Sequence, residues 1–245
     1  MINSKEFAEK NVQIILNKLK IGKFDDVITK TKSLIKKFPN YFVLYNILSI
    51  AYQSKNECEK SIDILKNALK LNPKNIHFLN NMGLSYYKLG NLIESEKYFK
   101  RIFEIEPNFL VAINNMANLK KDLNLENDAL NLYEKALKID KNNSTIHFNL
   151  GSIYQSLGDF EKSKNHYKES LKISPEFTKS DFNISLMSKY NKNHEHFLNM
   201  KEKLNLKLDD LQKSYLLFAL GKAFEDFGDY KNAFINFKNA NDLKN

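Results

Sequence analysis

Few side chains in this sequence stand at spacings that support bond-making chemistry. Asp226-Phe227-Gly228 spells a kinase metal-binding triplet, yet neither a Gly-rich loop nor a catalytic-loop motif accompanies it. Gly221-Lys222 lacks the upstream glycine of a phosphate-binding loop. His194-Glu195-His196 offers two imidazoles, but i, i+2 spacing on a helix points them to different faces, so a solvated turn is expected there and not a metal site. Cys58 is the only cysteine, which excludes an internal disulfide and a cysteine-cluster zinc site. Its equivalents at multiples of 34 residues include Phe24, Leu92 and Phe160, with Glu126 breaking the series, so an inert packing thiol is expected. One chemistry does recur. Asn81, Asn115, Asn149 and Asn183 stand 34 residues apart, with Gln13 and Ile47 in the two earlier slots. A side-chain amide both donates and accepts, so it can match a peptide group whatever side chain that peptide carries. No catalysis, cofactor or metal is expected from these residues, and the amide register reads either as a ligand ladder or as half-buried helical sites tolerated in an Asn-rich chain.

The elements that position these amides follow from the same period. Pro39, Pro73 and Pro107 are 34 apart and Pro175 lies two periods further on, with Lys141 in the skipped slot. Gly22, Gly90 and Gly158 are 68 apart, and Asn56 and Asn124 fill the slots between them. Asn tolerates the left-handed backbone better than most residues, so one turn is expected at all five positions. A register of small residues runs through Ser49, Gly83, Ala117, Gly151 and Ser185, and another through Ser61, Ser95, Ala129 and Ser163. Tyr52, Tyr86 and Tyr154 form a further register, broken by Lys120. Between these marks the apolar spacing is helical, as in Leu79, Met82, Gly83 and Tyr86, and again in Ser95, Phe99 and Ile102. Each unit is therefore two antiparallel helices: a small residue admits the partner helix closely, and the proline stands just past the second helix.

Composition agrees. Of 245 residues only 7 are glycine and 4 proline, too few for the repeated tight turns of a β-sandwich or barrel. Apolar runs such as residues 216–220 are far shorter than the roughly 18 residues of a membrane span, and residues 1–20 lack the apolar core of a secretory signal. A cytoplasmic, membrane-free protein is expected. The net charge of +9 raises the question of nucleic acid, but Arg101 is the single arginine among 38 cations, and nucleic-acid binders favour the arginine fork. The high Lys, Ile and Asn content, with 33 asparagines, fits an A+T-rich coding bias as well as it fits selection for charge, and nucleic acid is not the expected partner.

The pattern resembles a tetratricopeptide repeat array, whose 34-residue motif runs aromatic, Leu-Gly, Tyr, Ala, Phe, Ala, Pro. His147, Leu150-Gly151, Tyr154, Ser163, Tyr167, Ser170 and Pro175 follow that order, as do Tyr45, Leu48-Ser49, Tyr52, Ser61, Leu65, Ala68 and Pro73. The resemblance implies an all-α, right-handed superhelical solenoid of about seven hairpins. Its divisions are expected as a degenerate hairpin over 1–40, four regular units over 41–176, a divergent hairpin over 177–212 and a final unit over 213–245. In arrays of this kind, among them the repeat domain of the nucleocytoplasmic glycosyltransferase that modifies Ser and Thr, asparagines at the slot of Asn81, Asn115, Asn149 and Asn183 bind a peptide backbone. By the same analogy Tyr87, Phe148, Phe182, Tyr190 and Phe218 line the groove as anchors. The implied function is a scaffold that holds an extended peptide segment of a partner protein.

Residues 217–230, Leu-Phe-Ala-Leu-Gly-Lys-Ala-Phe-Glu-Asp-Phe-Gly-Asp-Tyr, with Ala233-Phe234 and Ala240-Asn241, resemble the repeat before the catalytic domain of bacterial tetratricopeptide sulfotransferases. That implies an alternative: a repeat module whose transferase domain lies outside this sequence. In the last helix, Ala233, Phe237 and Ala240 are expected to pack on the helix of Leu217, Leu220 and Phe224. Phe234 then lies a third of a turn away, an exposed apolar position open to downstream sequence, a second copy or a partner.

Overall fold

The computed structural model describes residues 4–244, with side chains from Glu9 onward. Met1–Asn3 of the first expected hairpin and Asn245 of the last lie outside the described residues. All regular structure among the described residues is helical, in fourteen successive helices. These are α1 (Ser4–Lys20) with α2 (Phe24–Lys37), α3 (Val43–Ser54) with α4 (Cys58–Leu71), and α5 (Ile76–Lys88) with α6 (Leu92–Ile105). Next come α7 (Leu110–Asp122), then α8 (Glu126–Ile139), and α9 (Ser144–Ser156) with α10 (Phe160–Ile173). The last pairs are α11 (Lys179–Leu186) with α12 (Glu195–Lys203), and α13 (Asp210–Asp226) with α14 (Tyr230–Asp242). The fold is an all-α helical repeat. No helix among the described residues is long and apolar enough to cross a membrane.

Turn chemistry explains the pairing. Gly22, Gly90, Gly158 and Gly228 all have φ between +75° and +80°, and Asn56 and Asn124 reach 58° and 55° in the same slot. The backbone turns left-handed there, and Asn substitutes for Gly because its short polar side chain tolerates that region. Each second helix ends alike: the residue just before the Pro39, Pro73, Pro107 and Pro175 positions donates its N–H to the carbonyl four residues back, at 2.7–3.0 Å. The proline then prevents continuation.

The chain forms two compact units, Met1–Leu123 and Asn124–Asn245. In the first, α3, α5 and α7 lie side by side, with α4 packed against α3 and α5, and α6 against α5 and α7. Its core is built from residues such as Leu44, Leu48, Leu65, Phe78, Met82 and Phe99. A Cβ placed on Gly83 would lie 2.6 Å from the Phe99 ring, so the small register exists to admit the aromatic of the second helix. In the second unit Gly151 stands in the same relation to Tyr167 (2.7 Å) and Gly221 to Phe237 (2.6 Å). There α9 and α10 pair, α11 packs on α10 and α13, and α13 pairs with α14. The divergent hairpin is short: α11 has 8 residues and α12 has 9. Phe197 and Met200 of α12 are buried in a cluster with Leu216, Ala219 and Leu220 of α13. In α14 the expected stripe packs inward, with Ala233 and Ala240 buried and Phe237 against Gly221, while Phe234 is 69% exposed beside exposed Tyr230 and Ile235.

Candidate binding surface

The repeated amides of the first unit sit on α5 and α7, and each is stitched to the first helix of the preceding pair, α3 and α5 respectively. Asn81 donates its side-chain N–H to the Asn46 side-chain oxygen at 3.1 Å, and Asn115 donates to Asn80 at 2.9 Å. The two acceptors, Asn46 and Asn80, stand 34 residues apart, each one position before the ladder slot of its own repeat. Adjacent Asn-Asn pairs are the signal for this, because one residue accepts from the next repeat while its neighbour donates to the previous one. Asn81 is buried and Asn115 half-buried. One N–H of each is committed to the stitch, out of the two N–H groups and one oxygen an amide carries.

Tyr87 near the end of α5 is half-buried, and its hydroxyl donates to the Asp122 carboxylate at the end of α7. Burial first, and then that carboxylate, push the Tyr87 hydroxyl up to about 12. Gln53 on α3 donates to the Asn81 carbonyl at 2.9 Å and to the Ser85 hydroxyl at 2.8 Å, so a second polar seam runs between α3 and α5.

In the second unit Asn149 on α9 is buried and Asn183 on α11 half-buried. Phe148 and Phe182 stand one residue earlier, in the slots that Asn46 and Asn80 occupy in the first unit. Phe148 is half-buried, with its ring 5.2 Å from Phe177 and 5.4 Å from Tyr167. Phe182 is half-buried between Tyr215 (5.8 Å) and Phe218 (6.1 Å) of α13. Lys179 stands over Phe148 at 5.0 Å, and Lys244 over Phe218 at 4.7 Å, each within cation–π range. Lys179 enters from the first residue of the 8-residue α11, Tyr215 from α13 and Lys244 from just past the end of α14. Tyr190 lies elsewhere: it is 3% exposed in the cluster with Phe197 and Met200, and its hydroxyl is 2.7 Å from the His196 ring. Burial drives its hydroxyl well above the ordinary tyrosine value. The loop after α11 folds its ring inward, so no aromatic face is offered to a peptide there.

The residues that mimic catalytic motifs have structural work. Asp226 accepts from Lys222, from Lys189 at 3.1 Å and from the Tyr190 backbone N–H at 3.1 Å, pinning the loop after α11 to α13. Burial opposes its charge, but these donors outweigh burial and hold the carboxyl below its ordinary value. His194 and His196 are not a solvated turn. His194 caps α12, and His196 bridges the Tyr190 hydroxyl and the buried Asp181 carboxylate, 3.0 Å away. Asp181 also accepts from Lys203 with both oxygens at 2.8 Å. His194 precedes the first turn of α12 and only His196 is helical, so i, i+2 helical spacing does not describe the pair. No cluster of three or more His, Cys, Asp or Glu residues among the described residues could hold a metal. Cys58 is buried, and burial raises its thiol, as an unreactive packing residue requires.

Paired helices, left-handed Gly/Asn turns and small-to-aromatic packing at one period define a helical repeat protein. Family models described as TPR repeat match residues 51–90 and 125–158, and models described as tetratricopeptide repeat match 77–109 and 144–177. The chain is a tetratricopeptide repeat protein. Similar solved structures include a tetratricopeptide repeat protein from Parabacteroides merdae, at 15% identity and TM-score 0.64 over 97% of this chain and 93% of that one. A thermophilic TPR protein of Thermus thermophilus is similar at 14% identity and TM-score 0.66, covering 73% of this chain and 97% of that one. The Cut9–Hcn1 hetero-tetramer of the APC/C is similar at 17% identity and TM-score 0.63, over 90% of this chain but 43% of that one. At these identities the likeness is one of fold. No curated protein matches the sequence. The matched repeats end at residue 177, so the sulfotransferase-like wording of residues 217–241 rests on those residues alone.

Proposed function

We propose that this protein is a non-catalytic interaction scaffold that takes an extended segment of a partner protein along the faces of its first helices. The tetratricopeptide fold points to protein–protein interaction, and the Cut9–Hcn1 relative is itself a protein complex. What supports the peptide reading is, within the first unit, the amides Asn81 and Asn115 and, within the second, Asn149 and Asn183 with half-buried Phe148, Phe182 and Phe218. Magnitudes divide the labour. An amide hydrogen bond is worth about 1 kcal/mol net, so two in one unit give about 2, while micromolar binding needs about 8. The aromatic anchors must supply most of the affinity, and the amides would set the path of the backbone. Tyr87 contributes as a wall held by Asp122; Tyr190 is left out because its ring packs in the cluster with Phe197 and Met200 and its hydroxyl meets His196.

Titration of linear peptides into the wild type and an Asn115→Ala/Asn149→Ala variant tests this reading. Two lost bonds of about 1 kcal/mol each are expected to weaken binding about thirtyfold, with circular dichroism confirming that the variant stays folded. Unchanged affinity would remove the ladder from the binding surface. A lone buried thiol suits the cytoplasmic setting proposed for the chain. The wording of residues 217–241 supports a second reading, a repeat module that works beside a sulfotransferase domain. The coding sequence beyond residue 245 tests it: a phosphosulfate-binding domain there supports this reading, and an unrelated reading frame opposes it.

A further inference from the structure

Helix α12 starts unlike its neighbours. Where another helix receives a side-chain cap, the capping group is an Asn or Asp: Asn75, Asn91, Asn143, Asp159, Asp209 and Asp229. At α12 the cap is an imidazole. His194 has extended backbone, and its Nδ1 accepts the His196 backbone N–H at 3.2 Å. An amide or carboxylate oxygen accepts at any pH near neutrality, whereas an imidazole nitrogen accepts only while it is unprotonated.

The surroundings make a proton there doubly unwelcome. A charge on His194 would face the positive end of the α12 dipole. His194 also lines a cavity of about 780 Å³ between α10 and α12, shared with Lys164, Lys168 and Lys172 of α10 and with His196 and Lys203 of α12. Glu195 and Glu202 of α12 are the acids in that lining, and Asp181 of α11 faces the cavity's back wall through His196 and Lys203. The Tyr190 ring packs on His194 at 4.7 Å. Burial, then His196, Lys168 and Lys164, hold the His194 imidazole below its ordinary 6.5, with Glu195 pulling the other way.

We propose that His194 is a proton-sensitive latch, whose protonation uncaps α12 and loosens its first turns from the second unit under mildly acidic conditions. The helix is vulnerable because 9 residues are too few to hold on propensity alone. Its far end stays tied through Lys203 to Asp181, so the opening starts at Glu195 and uncovers Phe197, which is buried in the closed state. The sign follows from linkage. The closed state binds its proton more weakly than the open state, so closure is fully stable above about pH 6.5 and weakens as pH falls through that value. One proton with an open-state value near 6.5 can shift the opening equilibrium by at most about tenfold at pH 5.5.

Hydrogen exchange of the full chain, with protection factors corrected for the intrinsic pH dependence of exchange, tests the latch. Protection of the amides of residues 196–199 is expected to fall several-fold, and at most about tenfold, between pH 7.5 and pH 5.5, while α14 stays constant. His194→Asn keeps a capping acceptor that does not titrate, so that variant should show no fall. His196→Gln should keep the fall. An equal fall in His194→Asn, a fall abolished by His196→Gln alone, or constant protection in the wild type would each overturn the proposal.

Discussion

Replacing Asp181 by Asn probes how the divergent hairpin is held together after losing the packing motif of the other repeats. Asp181 is fully buried on α11, and its oxygens receive Lys203 at 2.8 Å and His196 at 3.0 Å, both from α12. The Lys203 side chain is only 13% exposed. Asn keeps one acceptor oxygen but no charge, so the ammonium remains nearly buried without a counter-ion. Breaking one side of a buried pair costs about 3–5 kcal/mol, and the retained oxygen with slight solvent access lowers this to about 2–3 kcal/mol. For a chain of this length that corresponds to about 4–12 °C in Tm. Urea unfolding and calorimetry of Asp181→Asn, Lys203→Met and the double variant give the coupling directly. The double variant should be at least about 1 kcal/mol more stable than the sum of the singles, because it removes the stranded charge. Asp181→Asn within about 0.5 kcal/mol of wild type, or strictly additive singles, would refute this account of how α12 is anchored.

Gly83→Ala should destabilise the first unit by about 1–3 kcal/mol in urea, because the added Cβ would lie 2.6 Å from the fully buried Phe99 ring; Phe99→Leu in the same chain should recover part of the loss. The second unit should lose stability as pH falls below about 6.5, since burial, reinforced by His147, lowers the His166 imidazole against the opposing Glu134 and Glu169. The unfolded chain then takes up the proton more readily than the folded one, and His166→Gln should flatten that part of the stability profile; an unchanged profile would contradict it. Phe234→Glu should reduce concentration-dependent light scattering, because it charges the centre of the exposed Tyr230, Phe234 and Ile235 patch; identical scattering would show that the patch does not associate.

The sequence carries the repeat plainly because turn and packing demands act at every period. A left-handed turn admits Gly or Asn, and a site beneath an aromatic ring admits Gly, Ala or Ser, so Gly90, Asn56, Gly83 and Ala117 announce their positions by residue type. The stitch between Asn46 and Asn81 is equally periodic, but it spans 35 residues and becomes visible only when two offset registers are compared. The Asp181, His196, Lys203 and Tyr190 network has no such signal. It occurs once, its members are 6–22 residues apart, and each is an ordinary polar residue until burial brings them together. For the same reason Tyr190 reads as a groove aromatic in the sequence and is not one in the fold: the irregular loop after α11 turns the ring inward, and no repeat position encodes that loop. The break between the compact units at residues 123 and 124 likewise has no mark in a period that runs through it.

The central claim is that an extended peptide runs over the amides of the first helices. Chemical-shift mapping on the isotope-labelled chain, with a linear peptide selected from a random library, tests it most directly. Shifts are predicted, within the first unit, at the side-chain amides of Asn81 and Asn115 and, within the second, at those of Asn149 and Asn183 and at the Phe148, Phe182 and Phe218 rings. A bound peptide that shifts only residues of the second helices α4, α6 and α10 would contradict it.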